Sequence, residues 1–316
     1  MTCAVFRDFR WLLWFSLLAL ASIPASAADI RLFKANPEEI LKPYTFPGSI
    51  VVIEGSIQDG DYDAFLKIAK EGQGKVSTVY IFSAGGDFYE AMKIGRAIRA
   101  LELTSNVPVM SQDGLPVCDD GGFGMHPMPN DLRNCTAASA AFFIHIGGVW
   151  RGGNYLVVHR PYFGKGKFGN LPQAKAMKAF DELQESAKTY MSEMGVPKHI
   201  QDDVSGTPSD KGLILDKKTI KTYFLGAIPY QHEWMLNRCT QLTGDEVERL
   251  KTYKPIVKAN GTEWPRALGS SDTQDYLFII KKQAGWYSCA AAMRKQAISE
   301  AYQKFFASKS VRENTK

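Results

Sequence analysis

The sequence predicts an α/β fold with a mostly parallel sheet, and three observations carry that expectation. Short β-branched apolar runs alternate with stretches of helical period, the apolar run before Gly85-Gly86 closes on two glycines, and small residues flank Ser139 where a helix would start tight against a sheet. A strand, a helix and a second strand in succession need a right-handed crossover, which leaves the two strands parallel.

The first β-branched run is 49–54, and residues 61–70 follow with Phe65, Ile68 and Ala69 at helical spacing. Residues 78–82 read as a second, buried strand. After Gly85-Gly86, residues 89–101 read as a helix, because Ala91, Ile94, Ile98 and Leu101 fall on one stripe and Asp87 is placed to cap the first turn. Residues 107–110 are expected as a third strand, 137–146 as a helix of small residues, and 155–158 as a fourth strand ending at His159. The stretch 170–195 is a long helix with Ala176, Phe180, Leu183, Ala187, Tyr190 and Met194 on or near one face. A shorter helix at 216–225 ends at Gly226-Ala227-Ile228. Beyond it, 243–250 and 290–306 look helical and 255–271 is loop-rich, so residues 231–316 form a small α-rich C-terminal extension.

The amino terminus indicates the compartment. Arg7 and Arg10 precede the apolar run 11–23, and Ala25-Ser26-Ala27 offers the small residues of a cleavage site, so residues 1–27 read as a signal peptide, with an uncleaved anchor as the alternative. No other stretch approaches the ~18 consecutive apolar residues of a span. The mature chain is therefore expected to be periplasmic or secreted, with no stable membrane span after cleavage. The net charge of +5 is mild and scattered, which argues against nucleic acid as a partner.

Of the five cysteines, Cys3 leaves with the signal. The remaining four admit three pairings, and the expected ones are Cys118 with Cys135, stapling the loop that holds Asp119-Asp120-Gly121-Gly122, and Cys239 with Cys289 in the extension. No C-x-x-C pair or histidine cluster has ligand spacing, so no metal and no cofactor are expected.

The chemistry points to Ser139, inside Asn134-Cys135-Thr136-Ala137-Ala138-Ser139-Ala140-Ala141. Small neighbours let a helix start tight against a sheet, leaving a hydroxyl uncovered beside first-turn N–H groups that can stabilise negative charge. A serine among alanines also serves plain helix packing. Two further segments tip the balance towards a nucleophile: His159-Arg160-Pro161 offers a base, and Gly85-Gly86 offers backbone N–H groups without a Cβ in the way. Ser139 would attack a carbonyl, His159 would take its proton, and the N–H groups of Gly86 and Ala140, with Gly85 beside them, would hold the oxyanion. His145 lies six residues on from Ser139, off the nucleophile's face, and reads as structural; His126, His199 and His232 have no ligating surroundings.

Four segments in this order, Ser83-Ala84-Gly85-Gly86, Ala137-Ala138-Ser139-Ala140-Ala141, Gly147-Gly148-Val149-Trp150-Arg151 and His159-Arg160-Pro161, resemble the Clp protease proteolytic subunit and its single-chain periplasmic relatives in the Clp/crotonase superfamily. The likeness covers residues 48–230 and departs at Ala84, Ala140 and Arg160, where that family has proline, methionine and glutamine. It implies a ββα spiral for residues 28–230, a peptide or protein substrate, and the 170–195 helix as a handle for a homo-oligomer, an intramolecular role for that helix being equally open. It also implies an aspartate shortly before the 216–225 helix as the third member of the site. The strict alignment falls on Gly212; Asp210 is two residues away, with Asp202, Asp203, Thr207 and Ser209 as rivals. The expected function is an exported serine hydrolase, a peptidase, and the competing one is a catalytically inactive Clp-like binding or scaffold protein. Acyl-CoA chemistry of the crotonase kind is disfavoured by export.

Overall fold

The computed structural model describes residues 27–33, 48–118, 127–164, 168–252, 256–257, 263–264 and 270–313. The expected signal segment up to residue 26, the loop at 119–122, His126 and most of the loop-rich 255–271 lie outside the described residues. The protein is a mixed α/β structure with a mostly parallel central sheet.

The first half contains β1 (Asp29–Phe33), β2 (Ser49–Glu54), α1 (Asp61–Glu71), β3 (Val76–Phe82), α2 (Phe88–Ala100) and β4 (Thr104–Asn106). A small hairpin of β5 (Val109–Met110) and β6 (Pro116–Val117) follows, then α3 (Ala140–His145), β7 (Trp150–Gly152) and β8 (Val157–Val158). The remainder is α4 (Gln173–Glu193), α5 (Lys198–Gly206), β9 (Leu213–Ile214), α6 (Lys217–Tyr223), β10 (Gly226–Ala227), α7 (Pro229–Leu236) and α8 (Gly244–Thr252). The last elements are the pair β11 (Ile256–Val257) and β12 (Glu263–Trp264), and the long helix α9 (Ser270–Glu313). The six-stranded sheet has the order β1-β2-β3-β4-β7-β10. Its inner pairs β2–β3, β3–β4 and β4–β7 are parallel, as the crossovers through α1, α2 and α3 require, and the edge strands β1 and β10 run antiparallel.

Several local expectations hold. Asp87 caps α2 by accepting the N–H groups of Tyr89 and Glu90 at 2.9 and 3.0 Å, and the structure adds a cap that was not expected, Asp216 accepting the N–H groups of Lys218 and Thr219 at the start of α6. Val51, Ile53, Val79 and Ile81 are wholly buried beneath Phe65, Ile94 and Ile98 of the helices. Burying side chains of this size stabilises the fold by about 2 kcal/mol each.

Two expectations are corrected and one strand is added. The third sheet strand is β4, not residues 107–110; Val109 and Met110 pair only with β6. Trp150–Gly152, to which no element was assigned, form a strand, β7, beside β4. The helix expected over 137–146 starts at Ala140, because Ala137 and Ala138 are drawn into bridges with Ser83 and Val157. A long-range ladder bond has overridden the helix preference of alanine.

Two polar hubs fix the surroundings of α3. Glu54 is buried, and its carboxylate accepts the N–H groups of Asn130 and Asp131 at 2.8 Å, the Asn134 amide at 3.1 Å and an Arg31 guanidinium N–H at 2.9 Å. Desolvation is the largest influence on this carboxyl and raises its pKa, but the hydrogen bonds together outweigh it and hold it below the ordinary range. The second hub is Arg151, which donates to the carbonyls of Ile146, Gly148, Met194 and Tyr223 and so ties the end of α3 to α4 and α6. Burial, and then the neighbouring Arg99, push its pKa down to about 9.

The C-terminal helix lies on this core: Arg294 donates to Thr104 Oγ1 at 2.7 Å, Tyr302 to the Lys70 carbonyl at 3.1 Å, and Ile298 joins the apolar cluster. The cysteines pair as expected, Cys118 with Cys135 at a Cα separation of 5.8 Å and Cys239 with Cys289 at 5.7 Å. Among the described residues, no helix is long and apolar enough to cross a membrane.

Candidate active site

Residues 136–139 form a short extended segment between two others. Ser83 N–H donates to Thr136 O at 2.8 Å and Ala138 N–H to Ser83 O at 3.0 Å, while on the other side Val157 N–H donates to Ala137 O and Ser139 N–H to Val157 O, each at 2.9 Å. With its backbone pinned on both sides, the chain must turn sharply to enter α3, and it does so at Ser139, with φ 55 and ψ −117. A positive φ is uncommon outside glycine and is held only where the surroundings over-determine it. A serine on a strained strand-to-helix turn is the geometry that lifts a nucleophilic hydroxyl clear of its own backbone. The Ser139 side chain makes no capping hydrogen bond to α3.

The glycine pair sits against this turn. A Cβ at Gly85 would lie 2.6 Å from Ser139 Cβ and 3.1 Å from Ala140 N, and one at Gly86 would lie 2.1 Å from Ile57 O, so only glycine permits either approach. Ile57 N–H donates to Gly85 O at 2.8 Å and Asp87 N–H to Ile57 O at 2.7 Å. In such a bridge the intervening residue turns its own N–H the other way, and Gly86 lines the cavity that Ser139 also lines. Ala140 N–H, at the first position of α3, has no intrahelical acceptor. Neither N–H group has an acceptor among the described residues.

Ser139, Gly86, Ala140 and His159 share one cavity of about 600 Å³, walled by Phe88, Phe143 and Leu183. His159 follows β8 directly, and its Nδ1 lies 2.9 Å from the carbonyl oxygen of Arg160. A carbonyl only accepts, so Nδ1 carries the proton and Nε2 of the neutral ring is left as the acceptor that a general base needs. Arg160 is itself fixed by an N–H bond of 3.0 Å to Thr207 O, and the Tyr162 ring packs 5.7 Å from the imidazole. No hydrogen bond joins Ser139 Oγ to the imidazole among the described residues.

The expected acid is not brought to the ring. Asp210 is exposed in the turn after α5, and no hydrogen bond links it to His159. Asp202 pairs instead with Lys198 at 2.8 Å, and the Thr207 hydroxyl donates to Asp203 O at 2.7 Å. The position an acid would take on Nδ1 is held by a main-chain carbonyl, which a reading of side chains could not find. Sequence reasoning also missed Glu54, whose only signal was an acid closing an apolar strand. His145, read as structural, is fully buried; its Nδ1 lies 3.1 Å from Ser105 Oγ, and burial first, then Arg151, push its pKa down to about 3.

No family model and no curated protein matches the chain. Among solved structures it is similar to a ClpP1 variant from Listeria monocytogenes, at 16% identity and a TM-score of 0.37 over 59% of this chain and 91% of that one. It is also similar to a variant of the 1510-N membrane-bound stomatin-specific protease, at 18% identity and a TM-score of 0.35 over 68% of this chain and 89% of that one.

Proposed function

We propose that this chain is an exported serine hydrolase that cleaves peptide bonds, built on a Clp/crotonase-like ββα spiral over residues 28–230 with residues 231–316 as an α-rich extension. The observation that carries the reading is the strained turn at Ser139, which presents an uncapped hydroxyl to the same cavity as His159 and two unpaired backbone N–H groups. Ser139 Oγ attacks the carbonyl carbon while His159 Nε2 takes its proton. The charge that forms on the carbonyl oxygen is met by Gly86 and Ala140 N–H, an arrangement in which losing one donor costs on the order of 10²-fold in rate. The imidazolium then protonates the leaving amine, and water, deprotonated by the same ring, releases the acyl group. Arg160 O fixes the tautomer in place of a carboxylate, giving a weaker orienting charge and a slower enzyme.

Export is supported by the two cysteine pairs and by the amino-terminal pattern of residues 1–27. The exposed face of α4 is the surface we assign to self-association. The competing reading, a retained fold without catalysis, is favoured by two observations: among the described residues no hydrogen bond links Ser139 to His159 and no carboxylate is bonded to the ring.

Fluorophosphonate labelling separates the two, because only an activated serine reacts. The wild type is expected to label at Ser139, Ser139→Ala not at all, and His159→Ala at least ~10²-fold more slowly. Asp210→Asn should label at the wild-type rate if the Arg160 carbonyl suffices; a slowing comparable to that of His159→Ala would restore Asp210 as the acid. An unlabelled wild type would favour the scaffold.

A further inference from the structure

A second cavity, of about 290 Å³, opens between the end of α2, α7 and α9 and shares no lining residue with the Ser139 cavity. Glu102 lines it, held at φ 56, where residues other than glycine are uncommon. One carboxyl oxygen of Glu102 accepts the Tyr230 hydroxyl, whereas the other, Oε2, is buried with no partner among the described residues. Burial, and then the bond to Glu102, push the Tyr230 phenol well above its ordinary pKa, so it remains a donor. Beside it Gln231 is 2% exposed, lines the same cavity and makes no side-chain hydrogen bond among the described residues.

Buried polar groups are almost always paired, so an orphaned carboxyl oxygen on a strained residue at a cavity wall calls for a hydrogen-bond donor from a ligand. Neither nearby arginine hydrogen-bonds Oε2: Arg99 donates to the carbonyls of Ile146 and Gly147 and Arg294 donates through Nη2 to Thr104, although the charges of both act on Glu102. Trp234, Ala297 and Ala301 supply apolar wall. At the rim stand the exposed Glu300 and Lys304.

We propose that this cavity binds a primary alkylammonium group, with its N–H donors on Glu102 Oε2 and the Gln231 amide oxygen and its stem against Trp234, Ala297 and Ala301. A quaternary ammonium has no N–H to give Oε2. A guanidinium fork matches two carboxyl oxygens at once, and Tyr230 already holds one of them. A lysine side chain and a free diamine present the same head.

The test is nuclear magnetic resonance of the isotope-labelled full chain, following the Gln231 side-chain amide and the Trp234 indole N–H. The probes are cadaverine, Nα-acetyl-lysine methylamide and, as an uncharged stem, 1-pentanol. Both resonances are expected to shift with the amines and not with the alcohol. Glu102→Gln, which keeps the shape and removes the charge, should weaken binding at least ~10-fold, and Gln231→Leu should weaken it less. Response to the lysine derivative alone points to a peptide side chain, to cadaverine alone to a free diamine; either supports the site. Equal shifts with 1-pentanol, unchanged affinity in folded Glu102→Gln, or no shift with either amine would overturn it. Ser139→Ala should bind the amines like the wild type, so the outcome is independent of the hydrolase reading.

Discussion

The two ends of α3 are built from the same short run of small and apolar residues and treated in opposite ways. At the C-terminal end the carbonyls are fully claimed: Arg99 and Arg151 both donate to Ile146 O, Arg99 to Gly147 O, Arg151 to Gly148 O, and Ser105 to His145 O. Just inside, Tyr190 donates to Phe143 O at 2.7 Å. At the N-terminal end Ala140 N–H and the Ser139 hydroxyl are left unclaimed among the described residues beside a cavity, and the turn that leaves them so is strained. A helix end satisfied by buried arginines is a fastening, and one that keeps its donors free facing a cavity is available to a ligand. The difference teaches that a site is recognised here by what the fold declines to pair.

The comparison breaks most severely at Arg151. Arg151→Met removes a buried guanidinium and takes its hydrogen bonds from the carbonyls of Gly148, Met194 and Tyr223, while Ile146 O keeps Arg99, so unfolding free energy should fall by about 3 kcal/mol or more. Arg151→Lys should recover little of it, since one ammonium cannot reach what the planar fork reaches. Urea denaturation measures both. Fluorophosphonate labelling per folded molecule should survive, because this end only anchors; its loss in folded Arg151→Met would mean that the two ends are coupled.

A second difference between the ends lies in pH. The folded His145 imidazole has its pKa pushed down to about 3, against an unfolded value of about 6.5. Below about pH 6.5 the unfolded chain takes up a proton that the folded chain refuses, so this group's contribution is complete above that pH and is lost as pH falls towards 3. The expected slope is one proton, about 1.4 kcal/mol per pH unit. Denaturation at a series of pH values, with His145→Gln as the non-titrating control, should show the variant's slope shallower by that proton; identical slopes would show that the histidine titrates normally.

The smallest effect sharpens the comparison at the other end. Ser139→Gly replaces a residue strained at positive φ by one that accepts it, so the variant should be about 1 kcal/mol more stable while losing all labelling. A gain in stability with a loss of reactivity is the signature of strain kept for function. A stability loss would mean that the hydroxyl contributes packing.

Patterns carried by near neighbours were legible in the chain. The apolar stripe of α2 with its Asp87 cap and the buried runs of β2 and β3 follow from spacing and residue type, the two cysteine pairs are the favoured of three possible pairings, and Ser139, Gly86 and His159, singled out by residue type, line one cavity. Such signals are local, or rest on a few residues with one physical use. What tertiary structure decided depends on partners far apart in sequence. Ala137 and Ala138 became strand rather than helix because Ser83 and Val157 offered them ladder bonds, which moved the helix start and put the strain on Ser139. Trp150–Gly152 became a strand because β4 had an open edge beside it. The partner of His159 became the Arg160 carbonyl, a group every residue carries and no sequence singles out. Side-chain type determined which groups could do chemistry; long-range backbone hydrogen bonding decided which were left free to do it.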